Sequence, residues 1–187
     1  MFPILVDIAE LKVVLAGDGQ ALERRLALVD QAGGGSGGVV FCATPSATLR
    51  EAAGDRLMAR SVAPEDFDGA RIVMIAGLSE AESKPLAAAA RHAGALVNCE
   101  DILPLCDFHM PATVRRGDLT LTVSTGGASP GLARRLRRYL EGLFGPEWAD
   151  RLGEVASRRS DWRAEGVSMA EVGQRTDALI DRKGWLS

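Results

Sequence analysis

Short apolar runs alternate with segments of helical periodicity over the first part of the chain. The runs are compact and consist mainly of Val, Ile, Leu and Ala, as expected of strands buried on both faces of a parallel sheet. They lie at residues 12–16, 39–43, 72–76 and 95–98, with a further strand region at 57–63. Apolar residues recur at helical spacing between them, at residues 22–32, 47–53 and 80–93. This alternation predicts an α/β fold built on a Rossmann-type, doubly wound parallel sheet.

The pattern changes after residue 111. Apolar and polar positions alternate over residues 113–124 around an Arg-Gly-Asp turn, which predicts a β-hairpin. Ser129 followed by Pro130 is typical of a helix start. The apolar stripe of this helix consists of Leu132, Leu136, Leu140 and Leu143. Two more helices are expected at residues 147–162 and 168–183.

These patterns predict three regions. Residues 1–111 form the Rossmann domain, residues 112–145 form a small α+β module, and residues 146–187 form a helical C-terminal region.

Composition and charge narrow the class of protein. Of 187 residues, 47% are hydrophobic and 25% are charged, and the net charge of −3 gives no reason to expect nucleic acid or a membrane surface as a partner. The N-terminus lacks the basic region of a signal peptide, and no apolar run approaches the ~20 residues that span a bilayer. The three cysteines contain no C-x-x-C pair. We expect a reduced, cytoplasmic protein without disulfides.

A glycine turn follows the first apolar run and opens the first helix. Gly17 and Gly19 fit the start of a dinucleotide-binding fingerprint, in which one glycine makes a tight turn and the next lets a pyrophosphate approach the helix N-terminus. The pattern predicts binding of NAD through residues at this strand end and at two later ones. These candidate cofactor residues are Gly17, Gly19, Gln20, Ala21, Thr44, Pro45 and Gly77.

The match to the fingerprint has two departures. Leu22 is bulky where a third glycine or alanine usually permits close packing. The second strand ends at Thr44 and Pro45 with no acid for a ribose hydroxyl and no base for a 2′-phosphate, so NADP is not favoured over NAD. A plain α/β turn without a cofactor is the alternative. The glycine-rich segment 33–38 precedes a strand and lacks a following Lys-Ser/Thr, so we interpret it as a connector without a catalytic role.

Asp101 is the candidate general acid or base. It follows the apolar run that ends at Asn98, at the edge where α/β sheets bind their ligands. Glu100 is adjacent, but neighbours on an extended chain point to opposite faces, so one carboxylate is expected to serve. The alternative is that Asp101 only caps a turn.

Two further groups of residues bear on ligand binding. Residues 125–129 read Thr-Gly-Gly-Ala-Ser before a helix, a turn that suits a carboxylate or phosphate, and Arg134 and Arg135 would add positive charge. A solvated basic helix face is the alternative for these arginines. Cys99, Asp101, Cys106, Asp107 and His109 have metal-binding side chains, but their spacing matches no closed tetrahedral pattern, so we predict no resident metal.

Three motifs in order resemble a known family. They are Leu-Ala-Gly-Asp-Gly-Gln-Ala-Leu-Glu-Arg-Arg, then Val-Asn-Cys-Glu-Asp followed by Asp-Phe-His-Met-Pro-Ala, then Leu-Thr-Val-Ser-Thr-Gly-Gly-Ala-Ser-Pro-Gly-Leu-Ala-Arg. Their order and spacing resemble the siroheme synthase N-terminal module, the precorrin-2 dehydrogenases, of which many are also sirohydrochlorin ferrochelatases. The resemblance covers residues 3–145 and, more loosely, the helical tail.

The resemblance implies a function and a set of site residues. It implies a Rossmann domain, a dimerisation module at residues 112–145 and a homodimer that oxidises precorrin-2 to sirohydrochlorin with NAD. Asp101 takes the place of the family's catalytic aspartate, and Fe²⁺ would enter transiently as a substrate in ferrochelation. The carboxylates of the tetrapyrrole would meet the remaining candidates. These are Asn98, Arg115, Arg116, Thr125, Gly126, Gly127, Ser129, Arg134 and Arg135.

Departures from the family leave alternatives open. Leu22 and the loop that begins at Gly77 differ from the usual residues beside the cofactor. The same fold can therefore serve as a chelatase alone, or as a non-catalytic regulatory module that senses NAD(H).

Overall fold

A five-stranded parallel sheet in the order β3-β2-β1-β4-β5 lies at the centre of the N-terminal part of the chain. The computed structural model describes residues 2–34 and 37–186, so Gly35 and Ser36 of the predicted connector lie outside the described residues. The strands are β1 Val13–Gly17, β2 Gly38–Phe41, β3 Leu57–Met58, β4 Ile72–Ala76 and β5 Leu96–Cys99. The helices that connect them are α1 Gly19–Gln31, α2 Ala47–Ala53 and α3 Glu80–His92.

Helices cover both faces of this sheet. On one face, Leu22 and Leu26 of α1 and Leu49 of α2 are buried in a core with alternate residues of the strands. On the other face, Ala87 of α3 and Phe67 are buried in a second core. The fold is therefore the doubly wound, Rossmann-type sheet that the sequence predicts.

Leu22 packs where the fingerprint usually has a small residue. It is fully buried in the core beneath α1, although the helix begins only three residues earlier, at Gly19. The leucine side chain is therefore accommodated by the space between α1 and the sheet, and it does not prevent the glycine turn from forming.

The strand region predicted at 57–63 is shorter than expected. Only Leu57–Met58 pairs with β2, opposite Val40 and Phe41. The chain then turns, with the Arg60 amide donating to the Met58 carbonyl, and reaches a 3₁₀ turn at Pro64–Phe67. This turn takes the chain away from β2, so the strand ends after two residues.

The chain divides into two compact units, Met1–His109 and Met110–Ser187. The second unit begins with an antiparallel hairpin of β6 Ala112–Arg116 and β7 Leu119–Val123. Three helices follow: α4 Pro130–Leu143, α5 Trp148–Ala164 and α6 Met169–Lys183. The hydroxyl groups of Ser129 and Ser168 accept backbone hydrogen bonds at the starts of α4 and α6. The finer division of this unit at residue 145 stays a prediction.

Most of the predicted apolar stripe of α4 is exposed on the second unit, and of its four leucines Leu140 alone is half-buried. Leu132, Leu136 and Leu143 are 50%, 40% and 54% exposed, and Tyr139 beside them is 66% exposed. The buried residue of this helix is Ala133, on the side that packs against the hairpin. The described part of the second unit therefore leaves four large apolar side chains of one helix largely uncovered.

An aromatic cluster joins α5 to the chain beyond α6. The rings of Trp148 and Trp185 lie 6.4 Å apart, and Phe144 lies 5.0 Å from Trp148. The Arg151 guanidinium lies 4.9 Å from the centre of the Trp148 ring and 5.5 Å from that of Trp185. Such cation–π contacts stabilise by about 0.5–1 kcal/mol at exposed sites. Within the described ranges, no helix is both long and apolar enough to cross a membrane.

Candidate functional site

The turns after β1 and β4 fit into each other. The Asp18 amide donates to the Ala76 carbonyl at 3.0 Å. Gly17 has φ +152°, and a Cβ at this position would overlap the Ala76 carbonyl oxygen. Gly77 has φ +72°, and a Cβ there would overlap the Asp18 carbonyl oxygen. Both glycines are thus required by close backbone contact as well as by conformation.

The N-terminus of α1 is open at this turn. Gly19 is the first helical residue, and a Cβ at Gly19 would have no heavy atom within 4 Å. Gln20 follows as an exposed residue, and Ala21 is half-buried beside Gly77. Asp18 is the N-cap, and its Oδ1 accepts the Gly19 amide at 2.8 Å. Free space over the N-terminus of a helix is what a pyrophosphate needs.

A cavity of about 360 Å³ opens beside the glycine turn, within the first unit. This volume falls in the range of small-molecule sites. Much of its wall is apolar and suits a flat heteroaromatic ring, and its charged members are Asp18 and Glu82. The full lining consists of Gly17, Asp18, Phe41, Ala43, Ser61, Val62, Leu78, Glu82 and Leu86. The residues present therefore fit the adenosine half of a dinucleotide.

Of the predicted cofactor residues, Gly17 lines this cavity and the others lie near its glycine turn. Gly19 and Thr44 both contact Asp18. Pro45 is half-buried next to Thr44, and Gly77 holds the turn from the side of β4. The other lining residues were not predicted from the sequence. They come from the glycine turn, the end of β2, the chain after β3 and the chain around the start of α3, and comprise Asp18, Phe41, Ala43, Ser61, Val62, Leu78, Glu82 and Leu86.

Asp101 has an unusual backbone conformation at the end of β5. Its φ of +60° makes it the one non-glycine residue with positive φ among residues 2–34 and 37–186. Aspartate tolerates this left-handed region better than most residues, but the conformation still costs on the order of 1 kcal/mol. The Asp101 side chain is exposed. Strained conformations of this kind concentrate at functional sites.

Glu100 is directed toward helix α1. Its carboxylate lies 3.5 Å from an Arg24 nitrogen and 3.8 Å from an Arg25 nitrogen. The Glu100 side chain is 17% exposed and that of Arg25 is 14% exposed, so this contact is shielded from solvent. Glu100 therefore ties the end of β5 to α1.

The loop after β5 is held by its own side chains. The Asn98 amide group donates to the Phe108 carbonyl at 2.9 Å, and its buried Oδ1 has no hydrogen-bond partner in the described part of the chain. The Asp107 carboxylate accepts hydrogen bonds from Arg91 at 3.0 Å and from the Val97 amide at 2.9 Å. These contacts fix where the strand end, and with it Asp101, lies.

The cysteines of this region are in internal contacts. The Cys106 thiol donates to the Cys99 carbonyl at 3.1 Å. Burial raises the pKa of the Cys99 thiol to about 11, so Cys99 is uncharged at neutral pH. Among the described residues, no group of three His, Cys, Asp or Glu side chains is placed to hold a metal ion.

The second unit contains the remaining predicted residues, and its glycine turn is well defined. The Thr125 hydroxyl donates to the Ser129 carbonyl at 3.1 Å and accepts the Ser129 amide at 3.2 Å. Gly126 and Gly127, between them, have φ of +64° and +85° and are exposed. The turn delivers the chain to the N-terminus of α4 with its two glycine backbones facing solvent.

The four predicted arginines have different environments. Arg116 donates to the carbonyls of Phe144 at 2.7 Å and Glu141 at 3.3 Å, so it caps the C-terminal end of α4. Arg115 is exposed and contacts Thr120 across the hairpin at 3.4 Å. Arg134 and Arg135 are exposed and make no ion pair or hydrogen bond within the described ranges. Of the four, Arg134 and Arg135 are thus the two whose guanidinium groups are unpaired within the described ranges.

Comparison with known proteins agrees with this fold and cavity. The sequence pattern of a family described as "Putative NAD(P)-binding" matches residues 4–112, more than half of the chain. The pattern of a family described as "Sirohaem biosynthesis protein central" matches residues 116–143. The sheet, the glycine turn and the first of these matches define the class: this is an NAD(P)-binding protein of the Rossmann type.

Individual relatives narrow the class to a family. The chain is 34% identical over 164 residues to a siroheme synthase of Methylococcus capsulatus, covering 86% of this chain and 33% of the relative. It is 30% identical over 182 residues to a siroheme synthase of Zymomonas mobilis, covering 97% of this chain and 36% of the relative. The chain thus spans about a third of the length of the curated relatives that it matches. It belongs to the family of the siroheme synthase N-terminal module.

A solved structure supports the fold over the full chain. The structure named "SirC, precorrin-2 dehydrogenase" superposes with a TM-score of 0.76, covering 100% of this chain and 93% of that one. The two sequences are 24% identical, so this likeness concerns the fold.

Proposed function

We propose that this chain oxidises precorrin-2 to sirohydrochlorin with NAD⁺ as the hydride acceptor. The observation that supports this most directly is the pairing of a dinucleotide-type cavity at β1 with a strained, exposed aspartate at the end of β5 in the same parallel sheet. Ligands of doubly wound sheets bind at this edge. The names of the relatives and of the superposing structure support the choice of substrate.

The chemistry removes one hydride and one proton from the macrocycle. NAD⁺, when bound, accepts the hydride at the nicotinamide ring. Asp101 accepts the proton at its exposed carboxylate, so that the new double bond forms as both hydrogens leave. Gly17, Gly19 and Gly77 let the backbone approach the dinucleotide, while Gln20, Ala21, Thr44 and Pro45 flank it.

Positive charge in the second unit matches the substrate. The tetrapyrrole has eight carboxylates, and Arg134 and Arg135 carry guanidinium groups without a partner within the described ranges. Arginine binds carboxylates through two parallel hydrogen bonds. We assign Arg115, Thr125, Gly126, Gly127 and Ser129 to the same surface, with Arg116 holding the end of α4. In the first unit, Asn98 holds the loop that carries Asp101.

The proposal includes a homodimer. The exposed apolar side chains of α4, which are Leu132, Leu136, Tyr139 and Leu143, form a stripe along one side of the helix. Exposed stripes of this kind mark interaction surfaces, and most soluble homo-oligomers pair identical patches about a two-fold axis. Two copies of this stripe can cover each other across such an axis, so we assign residues 112–145 to dimerisation.

Ferrochelation of sirohydrochlorin is a second step that the same site can serve. Fe²⁺ would be a substrate that enters as two pyrrole protons leave, and the Asp101 carboxylate is a proton acceptor at the rim. The proposal also includes a cytoplasmic location, which the free thiols of Cys42, Cys99 and Cys106 support.

An anaerobic assay tests the function. Purified protein is supplied with precorrin-2 and NAD⁺, and sirohydrochlorin and NADH are followed by absorbance. We expect both products at equal rates. Absence of both from folded protein that binds NADH would refute the dehydrogenase and leave a chelatase alone or a regulatory module. Sirohydrochlorin supplied directly with Fe²⁺ then measures chelation separately from oxidation.

A further inference from the structure

A carboxylate stands at the end of strand β2 although the sequence has no acid there. Asp18 belongs to the glycine turn after β1, but its side chain reaches across to the residues that follow β2. Its Oδ2 lies 3.4 Å from the Thr44 hydroxyl, and its Oδ1 lies 3.5 Å from the Cys42 sulfur. Asp18 also lines the cavity and is exposed to it.

In Rossmann domains that use NAD, an acid at the end of β2 accepts a hydrogen bond from the adenosine ribose. We propose that Asp18 performs this function from the glycine turn, binding the ribose 2′-hydroxyl and excluding a 2′-phosphate, so that the chain selects NAD over NADP. The inference rests on the proposed function, since it concerns the same cofactor site.

The Asp18 carboxylate retains room for the ribose. A carboxylate accepts about four hydrogen bonds, and the donors that contact Asp18 are the Gly19 amide, the Cys42 thiol and the Thr44 hydroxyl. Burial is the first cause that raises the pKa of the Cys42 thiol, with the neighbouring Asp18 adding to it. Cys42 therefore remains a protonated donor that orients Asp18, and an acceptor position remains for a hydroxyl.

The residues that line the cavity beside Asp18 are unfavourable for a phosphate. The charged residues that line the cavity are Asp18 and Glu82, both acidic. Arg60 lies over the Phe41 ring of the cavity wall, 4.9 Å from its centre. However, Asp66 binds both Arg60 terminal nitrogens at 2.7 Å, so this guanidinium is already paired. A 2′-phosphate would thus meet carboxylates without a free cation among the lining residues.

The test compares binding of NADH and NADPH, measured by calorimetry and by nicotinamide fluorescence, for the unaltered protein and for Asp18→Asn. Asparagine keeps an oxygen that can cap α1 but removes the charge. We expect the unaltered protein to bind NADH at least about tenfold more tightly than NADPH, and Asp18→Asn to reduce this ratio by about tenfold. ADP and 2′-deoxy-ADP, as competitors of NADH, should differ in affinity only when Asp18 is present.

Asp55→Asn is the matched control. Asp55 is exposed in the turn that precedes β3, at the edge of the sheet where the strands begin, whereas the cavity lies where they end. The Asp55→Asn substitution removes one negative charge from the same unit and should leave the ratio of NADH to NADPH affinity unchanged.

The outcomes separate the inference from the function on which it rests. An unchanged ratio of NADH to NADPH affinity in Asp18→Asn overturns the inference. Tighter binding of both dinucleotides by the same factor also overturns it, since Asp18 would then be a charge that repels the pyrophosphate. Failure of the unaltered protein to bind either dinucleotide overturns the inference together with the cofactor assignment. Selective NADH binding that is lost in Asp18→Asn, without oxidation of precorrin-2, supports the inference and refutes only the proposed reaction.

Discussion

Gly77 lies against the main-chain carbonyl of Asp18 so closely that any side chain at position 77 would overlap the Asp18 oxygen. The same turn receives the Asp18 amide at the Ala76 carbonyl. Two loops from neighbouring strands therefore hold each other in place at the rim of the cavity. Because the contact is made by backbone atoms, it has little capacity to adapt to a substitution.

Gly77→Ala should destabilise the first unit more than Gly69→Ala, a substitution of a glycine with nearly the same φ. Alanine at φ +72° is strained and overlaps Asp18, so we expect a loss of about 2–4 kcal/mol in the free energy of unfolding. Gly69 has φ +73° with nothing within 4 Å of its added Cβ, and Gly69→Ala should cost about 1 kcal/mol. Urea unfolding followed by far-ultraviolet circular dichroism measures both. Equal losses would show that the overlap relaxes.

Asp101→Asn should remove turnover and leave folding nearly unchanged. Asparagine also tolerates the left-handed conformation at φ +60°, so the free energy of unfolding should stay within about 0.5 kcal/mol. Loss of the proton acceptor should lower the rate of precorrin-2 oxidation by about 10²–10⁴-fold, with NADH affinity retained. Glu100→Gln is the control, since Glu100 is directed to Arg24 and Arg25. A larger loss of rate in Glu100→Gln than in Asp101→Asn would indicate that Glu100 is the proton acceptor.

Arg116→Ala should destabilise the second unit. Arg116 donates to two carbonyls at the C-terminal end of α4, where its charge also complements the helix dipole, so we expect a loss of about 1–3 kcal/mol. Its neighbour Arg115 contacts only Thr120 among described side chains, and Arg115→Ala should cost about 0.5 kcal/mol or less. Thermal unfolding of the two variants compares these values directly. Equal effects would contradict the assignment of Arg116 to a helix cap.

Charge on the α4 stripe should dissociate the proposed dimer. Leu136→Glu and Tyr139→Glu place a carboxylate on the apolar surface, where it would be desolvated without a partner. Sedimentation velocity should show a shift from dimer to monomer at micromolar concentration. Arg138→Glu is exposed on the same helix but off the stripe, and it should remain dimeric. A monomer for the unaltered protein would refute the dimer.

The pair of Asp66 and Arg60 should make the first unit acid-sensitive. The hydrogen bond from Arg60 lowers the pKa of the Asp66 carboxyl below its ordinary value of 3.8. A lowered pKa in the folded state means that the pair stabilises at pH above 3.8 and that this contribution is lost as the pH falls further. Asp66→Asn should therefore flatten the dependence of stability on pH below 3.8, and Asp55→Asn should not. Parallel pH profiles for all three proteins would contradict this.

Much of the fold follows from local patterns in the sequence. Strand β4 at 72–76 is buried throughout, and β5 is buried at Val97, Asn98 and Cys99 but exposed at Leu96. β-branched and aliphatic runs of that length have few alternatives in an α/β chain. Strand β3 was less predictable, because the turn at Arg60 ends its pairing with β2 after two residues.

The candidate site was predictable in part. Gly17 and Gly77 are recognisable because a strand followed by a glycine turn has few other causes. The position of the Asp18 carboxylate was not, since it depends on the distance between β1 and β2, which pairing sets and which no local pattern encodes. The outward position of the α4 stripe was hidden for a similar reason: periodicity identifies an apolar face but not what covers it.

The tryptophans of the second unit let the two units be followed by different spectroscopic signals. All three tryptophans, Trp148, Trp162 and Trp185, lie in the second unit, whereas the cavity and its glycine turn lie in the first. Intrinsic emission therefore reports unfolding of the helical unit, while the Rossmann unit has no indole of its own and is followed through its circular dichroism or through NADH. Tryptophan emission and circular dichroism, measured without an added label, can thus tell whether a substitution destabilises one unit or both.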